Sequence, residues 1–138
     1  MVDPGSPTDY YCLILDEGNR PIGEISFHRL DRERMAADFN VKVAAPFCGQ
    51  GYAQEAMTVF LGHFFRRLGG RELADDVALD NEVGQQALLR FGFQHDPRVT
   101  SVFRLRLTRE RFATLHGRDA VRGSTEPRRE CRIDFSRG

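Results

Sequence analysis

Residues 48–57 read Cys48-Gly49-Gln50-Gly51-Tyr52-Ala53-Gln54-Glu55-Ala56-Met57. The two glycines follow an extended apolar stretch, Phe39–Ala45, and lead into a segment whose apolar residues have helical spacing. Glycine lets the backbone come close to a ligand, and the first N–H groups of a helix point outward with the positive end of the helix dipole behind them. A strand, a glycine turn and a helix start in this order predict a site for a pyrophosphate group.

The glycine pattern differs from the two common phosphate-binding sequences. The Rossmann fingerprint needs a third glycine at Ala53–Gln54, and the P-loop ends in Gly-Lys-Ser/Thr, which is absent here. We therefore expect a short cradle for the pyrophosphate of a cofactor whose chemistry occurs at its distant end. A purely structural tight turn is the alternative for Gly49–Gly51.

Size and composition limit the classes of protein. The 138 residues suit one domain with a core but not two. The formal net charge is zero, which argues against a general nucleic-acid binder. No apolar run approaches the ~20 residues of a membrane helix. The three cysteines are widely spaced without a CxxC pair, so we expect neither a disulfide framework nor a metal site. These features predict a cytoplasmic protein without nucleic-acid or membrane partners.

Apolar periodicity and turn residues predict the secondary structure on both sides of the glycines. The predicted strands are Tyr10–Asp16, Ile22–Leu30, Met35–Ala45, Arg71–Leu79, Phe93–His95 and Thr100–Leu107. The predicted helices are Gly51–Leu68, Asn81–Phe91 and Arg109–Leu115. Short turns join the first three strands, whereas helices follow later ones, so the sheet must change from antiparallel to parallel pairing. We predict a mixed α/β (α+β) sheet that opens near Val43–Gly49, with a β-bulge at Val41–Ala44.

The chain divides into three predicted segments: a flexible N-terminus (1–9), one folded domain (10–116) and an arginine-rich tail (117–138). Within the tail, Glu130–Phe135 alternates polar and apolar residues from Cys131 on, and a sheet that begins at Tyr10 leaves an edge bare. The segment is therefore a candidate strand for that edge, in its own subunit or across a homodimer. A disordered tail is the alternative.

Two motifs together resemble the GNAT superfamily of acyl-CoA-dependent N-acetyltransferases. The family's Gln/Arg-x-x-Gly-x-Gly/Ala motif matches Cys48–Ala53, and its Asp/Glu-Asn, helix, Gly-Phe motif matches Asp80–Phe93. The resemblance covers Tyr10–Phe112 and is nearest to the branch that acts on ribosomal-protein N-termini. It implies a GNAT-like fold that is N-terminally shortened, because nine residues precede Tyr10 where the family has a strand and two helices.

The resemblance implies that an acetyl group passes from acetyl-CoA to a primary amine by direct attack, without a metal. The amine would be a protein N-terminus or a small amine. The implied cofactor-binding residues are Val41 and Val43 along the pantetheine arm, Asn81 beside it, and Gly49, Gln50, Gly51, Tyr52 and Ala53 around the pyrophosphate.

The catalytic residues implied by the resemblance are Asp38 and Asn81. Asp38 stands where the family often has a glutamate that acts as general base, and Glu24 and His28 are rival bases on the neighbouring strand. Asn81 would cap a helix and contact the cofactor. Leu88 stands where other branches have a tyrosine acid, so no proton donor is identified.

Three alternatives remain open at this stage. One is a coenzyme A-binding or protein-interaction module of GNAT-like fold without turnover. Another is a phosphate-binding domain of a different family. The third is an enzyme that uses Cys48 as a nucleophile, because a helix N-terminus can lower the pKa of a nearby thiol.

Overall fold

The structure, a computed structural model, describes residues 8–122 and 132–134. Its strands are β1 (Tyr10–Leu15), β2 (Pro21–Asp31), β3 (Ala36–Val43), β4 (Glu72–Val77), β5 (Gln94–Asp96), β6 (Phe103–Thr108) and β7 (Arg132–Asp134). Its helices are α1 (Tyr52–Gly62), α2 (Glu82–Phe91) and α3 (Arg109–Arg122), with a 3-10 turn at Ala45–Phe47 and a π-helical segment at His63–Arg67. None of the described helices has the length and apolar character needed to cross a membrane.

The seven strands of the described residues form one sheet in the order β5-β6-β4-β3-β2-β1-β7. Neighbouring strands are antiparallel except for β3 and β4, which are parallel. The predicted mixed α/β sheet is therefore confirmed, and its change in pairing lies between the strand before the glycine turn and the strand after α1.

The parallel pair is short and then separates. Only Ala36–Asp38 of β3 pair with Glu72–Ala74 of β4, although both strands continue beyond this point. The sheet thus opens from Phe39 onward, earlier in β3 than the predicted Val43–Gly49. Two diverging strands leave their facing backbone groups available to a ligand.

The predicted bulge at Val41–Ala44 is wrong. Strands β2 and β3 pair in regular register from Gly23↔Val43 to His28↔Asp38, and the irregularity lies between His28 and Asp31. Arg29 has a positive φ of 55°, and its N–H donates to the Asp9 carboxylate at 3.0 Å. The N–H of Leu30 donates to the Thr8 carbonyl at 3.1 Å. Contacts from the preceding chain therefore satisfy the backbone groups that the bulge removes from the ladder.

The predicted helix Gly51–Leu68 changes its geometry at His63. An α-helix turns once in 3.6 residues, but the buried residues Ala56, Phe60 and Phe64 recur every four. The wider π turn, in which the Leu68 N–H donates to the His63 carbonyl at 3.0 Å, keeps Phe64 and the adjacent Phe65 in the core.

The helices pack on one face of the sheet around an aromatic core. The largest fully buried side chains are Phe39, Phe60, Phe64, Phe65, Phe93, Phe112, Ile14, Ile25, Met57, Leu61, Leu73 and Leu88. Phe39 of β3 contacts Phe60 of α1 and Phe93 before β5, with ring centroids 6.3 and 5.6 Å apart. Phe39 is thereby packed against both α1 and the segment before β5, and this packing fixes β3 at the point where the two strands separate.

The C-terminal elements extend further than predicted. Helix α3 continues past Leu115 with a break at Gly117, whose φ and ψ are 11° and −123°. Within the predicted strand Glu130–Phe135, Arg132–Asp134 pair antiparallel with Leu13–Leu15 of β1 in the same chain. An edge strand within its own subunit is thus confirmed for these three residues. The rest of that strand, residues 123–131 and 135–138 of the tail, and residues 1–7 of the N-terminus lie outside the described residues.

Candidate active site

A cavity of about 980 Å³ lies between the separated ends of β3 and β4. Its walls come from β3, the loop before α1, the first turn of α1, the end of β4, and α2. Cofactor and small-molecule sites typically enclose about 300–1,000 Å³, so this cavity is large for a single small substrate and suits an extended one.

The glycine turn forms one end of the cavity. Gly49 and Gly51 line it with φ of 77° and 90°, and Gly51 is the N-cap of α1. Apart from Gly49 and its two chain neighbours, no described residue has a heavy atom within 4 Å of the position that a Gly49 Cβ would occupy, so the space beside this backbone is open. Ala53 lines the same end, where the N–H groups of the first helical turn have no intrahelical acceptor. This arrangement suits a pyrophosphate.

Two residues of the predicted cradle direct their side chains elsewhere. Tyr52 is buried, and its hydroxyl donates to the Glu17 carboxylate at 2.7 Å. The Gln50 amide donates to the Pro46 carbonyl at 2.9 Å. Neither residue lines the cavity, so each can reach a ligand there only through its backbone. The Tyr52–Glu17 contact instead ties α1 to the turn between β1 and β2.

Asn81 lies at the opposite wall. Its side-chain oxygen accepts from the Gly84 N–H at 3.0 Å, which confirms the predicted N-cap of α2. The Gln85 amide donates to the carbonyls of Ala78 and Leu79 at 2.9 and 3.0 Å and holds the loop from β4 to α2. Asn81, Val41 and Val43 all line the cavity, so the structure brings together the residues predicted to flank the pantetheine arm.

Two adjacent carboxylates on β4, Asp75 and Asp76, also line the cavity. Asp76 faces away from the helices, and its carboxylate receives hydrogen bonds from the Arg104 guanidinium at 2.6 and 2.8 Å, which lower its pKa. Asp75 lies between the buried residues Leu73 and Val77 on the helix face of the strand. Burial, and then the charges of Asp76 and Asp38, raise the pKa of Asp75 to about 7.

Neither Asp75 nor Asp76 is among the site residues predicted from the sequence. The parallel pairing of β4 with β3 ends at Ala74, the residue before Asp75. The sequence pattern of β4 does not indicate this end point. The available signal was an aspartate between the apolar residues Leu73 and Val77 of one strand face, because a carboxylate on a buried face is costly.

The predicted bases on β2 and β3 lie outside the cavity lining. Asp38 forms an ion pair with Arg29, whose Nε donates to the carboxylate at 2.7 Å, and the Asp38 side chain is 38% exposed. His28 pairs directly across from Asp38, and its buried Nδ1 has no hydrogen-bond partner among the described residues. Glu24 is exposed. The roles predicted for Asp38, Glu24 and His28 stay predictions.

Basic groups accompany the acidic ones in the cavity. Lys42 on β3 and Arg90 on α2 line it, and no described carboxylate forms an ion pair with either. Such groups can balance the charge of phosphates. Among the described residues, no group of three or more His, Cys, Asp and Glu side chains could hold a metal ion.

Cys48 lines the cavity but lacks the surroundings of a nucleophile. Its thiol donates to the carbonyls of Val43 and Ala44, with Sγ···O distances of 3.3 and 3.6 Å. No described histidine lines the cavity. Since a cysteine nucleophile needs an oriented base, the geometry does not favour this alternative.

Solved structures share this fold. A chimera of spermidine N-acetyltransferase SpeG from Vibrio cholerae and hSSAT superposes with a TM-score of 0.71 at 17% identity, over 80% of this chain and 75% of that chain. SpeG from Vibrio cholerae in complex with manganese ions gives a TM-score of 0.70 at 16% identity, over 80% and 71% of the two chains. A dodecameric structure of the Vibrio cholerae enzyme gives 0.68 at 17% identity, over 79% and 68%.

Sequence comparisons give the family. The uncharacterized N-acetyltransferase YoaA of Bacillus subtilis (strain 168) is 29% identical over 75 residues, which are 54% of this chain and 42% of that relative. This chain therefore matches less than half the length of YoaA. The sequence profile described as Acetyltransferase (GNAT) domain matches residues 3–94, which include the glycine turn, Asp75–Asp76 and the cap of α2. The chain belongs to the GNAT acetyltransferase domain family.

Proposed function

We propose that this protein transfers an acetyl group from acetyl-CoA to an amine. The observation that carries the proposal is the cavity at the separation of β3 and β4, closed at one end by the Gly49–Gly51 turn and the start of α1. A strand gap continuous with an anion site accommodates an extended molecule with a pyrophosphate at one end, and acetyl-CoA is such a molecule.

The residues present fit this co-substrate. Backbone N–H groups of the glycine turn and the first turn of α1 would hold the pyrophosphate, and Lys42 and Arg90 would supply positive charge. Val41 and Val43 would offer backbone groups to the pantetheine arm, with Asn81 on the other side. When bound, acetyl-CoA supplies an activated acyl group as a thioester. The protein contributes mainly by holding the amine against it, which can lower the barrier by about 7–11 kcal/mol.

The acceptor is proposed to be a primary amine. Similar folds belong to spermidine N-acetyltransferases. Three carboxylates line this cavity: Arg104 forms an ion pair with Asp76, whereas no described ion pair involves Asp75 or Glu82, so both can attract a positively charged amine. A small monoamine and a protein N-terminus both meet this description, and the latter corresponds to the ribosomal-protein branch that the motifs resemble.

A coenzyme A-binding module without turnover is the second candidate. Leu88 lines the cavity where other GNAT branches have a tyrosine, so this position offers no proton to a departing thiolate. A proton from solvent would then have to protonate the thiolate.

A homodimer of this chain also stays a proposal.

Calorimetry with acetyl-CoA and a thiol-release assay distinguish these functions. The assay should use a panel that contains a small monoamine, spermidine and a short peptide with a free N-terminus. We expect binding, and thiol release with at least one amine of the panel. Binding without thiol release on any amine would favour the second candidate. Absence of binding would contradict both.

A further inference from the structure

We propose that Asp75 is the general base of this site and takes a proton from the acceptor amine. The proposal rests on the acetyl-transfer function proposed above and assigns it a catalytic residue. It differs from the roles predicted for Asp38, Glu24 and His28, all of which lie outside the cavity lining.

The position of Asp75 follows from the strand register. Ala74 is the last residue of β4 that pairs with β3, so Asp75 is the first residue of β4 beyond the point of separation. On the opposite strand, Phe39 is buried against Phe60 and Phe93 at the same level of the sheet. The Asp75 carboxylate is therefore at the closed, inner end of the strand gap. A thioester carried on an extended arm that enters between the strands would end there.

Asp75 also differs from its neighbours in its partners. Asp38 and Asp76 are bound by Arg29 and Arg104, and Glu72 is bound by Arg106. Within residues 8–122, no arginine or lysine forms an ion pair with Asp75. A carboxylate already bound by arginine is a poor proton acceptor, because protonation breaks charge-assisted hydrogen bonds. Asp75 has no described arginine partner, and the backbone hydrogen bond that it receives from Asp76 lowers its pKa less than burial and the neighbouring carboxylates raise it.

The charged groups around Asp75 favour proton uptake near neutral pH. Asp76 and Asp38 act on Asp75 directly, and Arg104 is paired with Asp76. Lys42, Glu82 and Arg90 line the same cavity. Burial and the carboxylates of Asp76 and Asp38 dominate, and together they raise the pKa of Asp75 to about 7. A general base works best when its pKa lies near the operating pH.

The proton balance is complete without another protein group. The Asp75 carboxylate takes one proton from the ammonium form of the acceptor. The freed nitrogen lone pair then forms the C–N bond to the acetyl carbon, and the C–S bond breaks with its electron pair on sulfur. The second proton lost by the nitrogen passes through solvent to the thiolate. Asp75 afterwards releases its proton to solvent.

The test compares Asp75→Asn with Asp76→Asn in the same chain. For the most active amine of the panel, Asp75→Asn should lower kcat/KM at pH 7 by about 100-fold and remove the rise in rate near pH 7. Coenzyme A affinity should change by less than about twofold, since the proposed contacts to the phosphates are distant. Asp76→Asn should keep that rise and move it to lower pH, because one of the charges that disfavours ionised Asp75 is gone.

A second readout needs no turnover. Carbon-13 NMR of aspartate carboxyls in the ligand-free protein should show one group titrating near pH 7, absent in Asp75→Asn. A wild-type rate profile in Asp75→Asn would overturn the base while leaving the acetyltransferase function intact. Absence of thiol release on every amine, with coenzyme A bound, would overturn the function and the base together. A titration confined to pH values below 5 would also overturn the base.

Discussion

The two walls of the cavity differ in how they would act on a ligand. The β3–α1 wall presents backbone: Gly49 and Gly51 have positive φ, and α1 begins directly after them. The β4 wall presents side chains, the carboxylates of Asp75 and Asp76. Backbone geometry is determined by local sequence, whereas the chemistry of a carboxylate is determined by its surroundings. Binding and catalysis are therefore expected to depend on different walls and to be separable by mutation.

The largest effect is expected on the backbone wall. Gly51→Asp should weaken coenzyme A binding by at least about 100-fold, because it places a negative charge and a side chain at the pyrophosphate end. Gly51→Asn is the matched control, since asparagine has the same shape, lacks the charge and tolerates positive φ. Its loss of affinity should be smaller. Calorimetry on both variants, with circular dichroism to verify folding, measures the difference. Equal affinities of Gly51→Asp and wild type would remove the cradle assignment.

On the β4 wall, removing the charge of Asp75 is expected to increase the stability of the protein. The pKa of Asp75 is raised from 3.8 to about 7, so the folded state retains a proton that the unfolded state releases. This residue therefore makes stability fall as pH rises from about 4 to about 7, and the loss is constant above that. Asp75→Asn should increase the free energy of unfolding at pH 7.5 by about 2 kcal/mol, a value discounted for partial exposure. At pH 4 the gain should vanish.

Urea unfolding of both proteins at several pH values measures this difference. A gain that is equal at pH 4 and pH 7.5 would show that the effect comes from packing rather than from ionisation. If Asp75→Asn is more stable than wild type at pH 7.5 and also less active, then Asp75 lowers the stability of the protein while it supports catalysis.

The same contrast explains what the sequence could predict. The Gly-x-Gly turn and the Asn81 cap are local signals, and the structure contains both. The position of the strand opening depends on how many residues of β3 pair with a strand more than 30 residues later, and no local pattern encodes that. The Arg29 bulge depends similarly on Thr8 and Asp9. The proposed role of Asp75 follows from this long-range register, so no local pattern predicts it.

Asn81 both caps α2 and lines the cavity, so its substitution should affect stability and binding. Asn81→Ala should lower the free energy of unfolding by about 1 kcal/mol, since the Gly84 N–H loses its acceptor. Asn81→Asp retains an oxygen that can cap α2 and should keep the wild-type stability. If Asn81 also contacts the pantetheine arm, both variants should lower coenzyme A affinity severalfold. Denaturant unfolding and calorimetry separate these roles. A fully stable Asn81→Ala would contradict the capping role.

The smallest expected effect concerns Asp38 and distinguishes the two proposed bases. The charge of Asp38 raises the pKa of Asp75, and Arg29 partly offsets that charge. Asp38→Asn should therefore move the rise in rate near pH 7 to lower pH by about 0.3 units, and Arg29→Gln should move it to higher pH by a similar amount. Maximal turnover should stay within about twofold in both variants, because neither side chain lines the cavity.

If Asp38 were itself the base, Asp38→Asn would instead lower turnover by about 100-fold at neutral pH with cofactor affinity intact. Opposite shifts from the two partners of one ion pair, measured as pH–rate profiles, would show that Asp38 acts on the base through charge and is not the base.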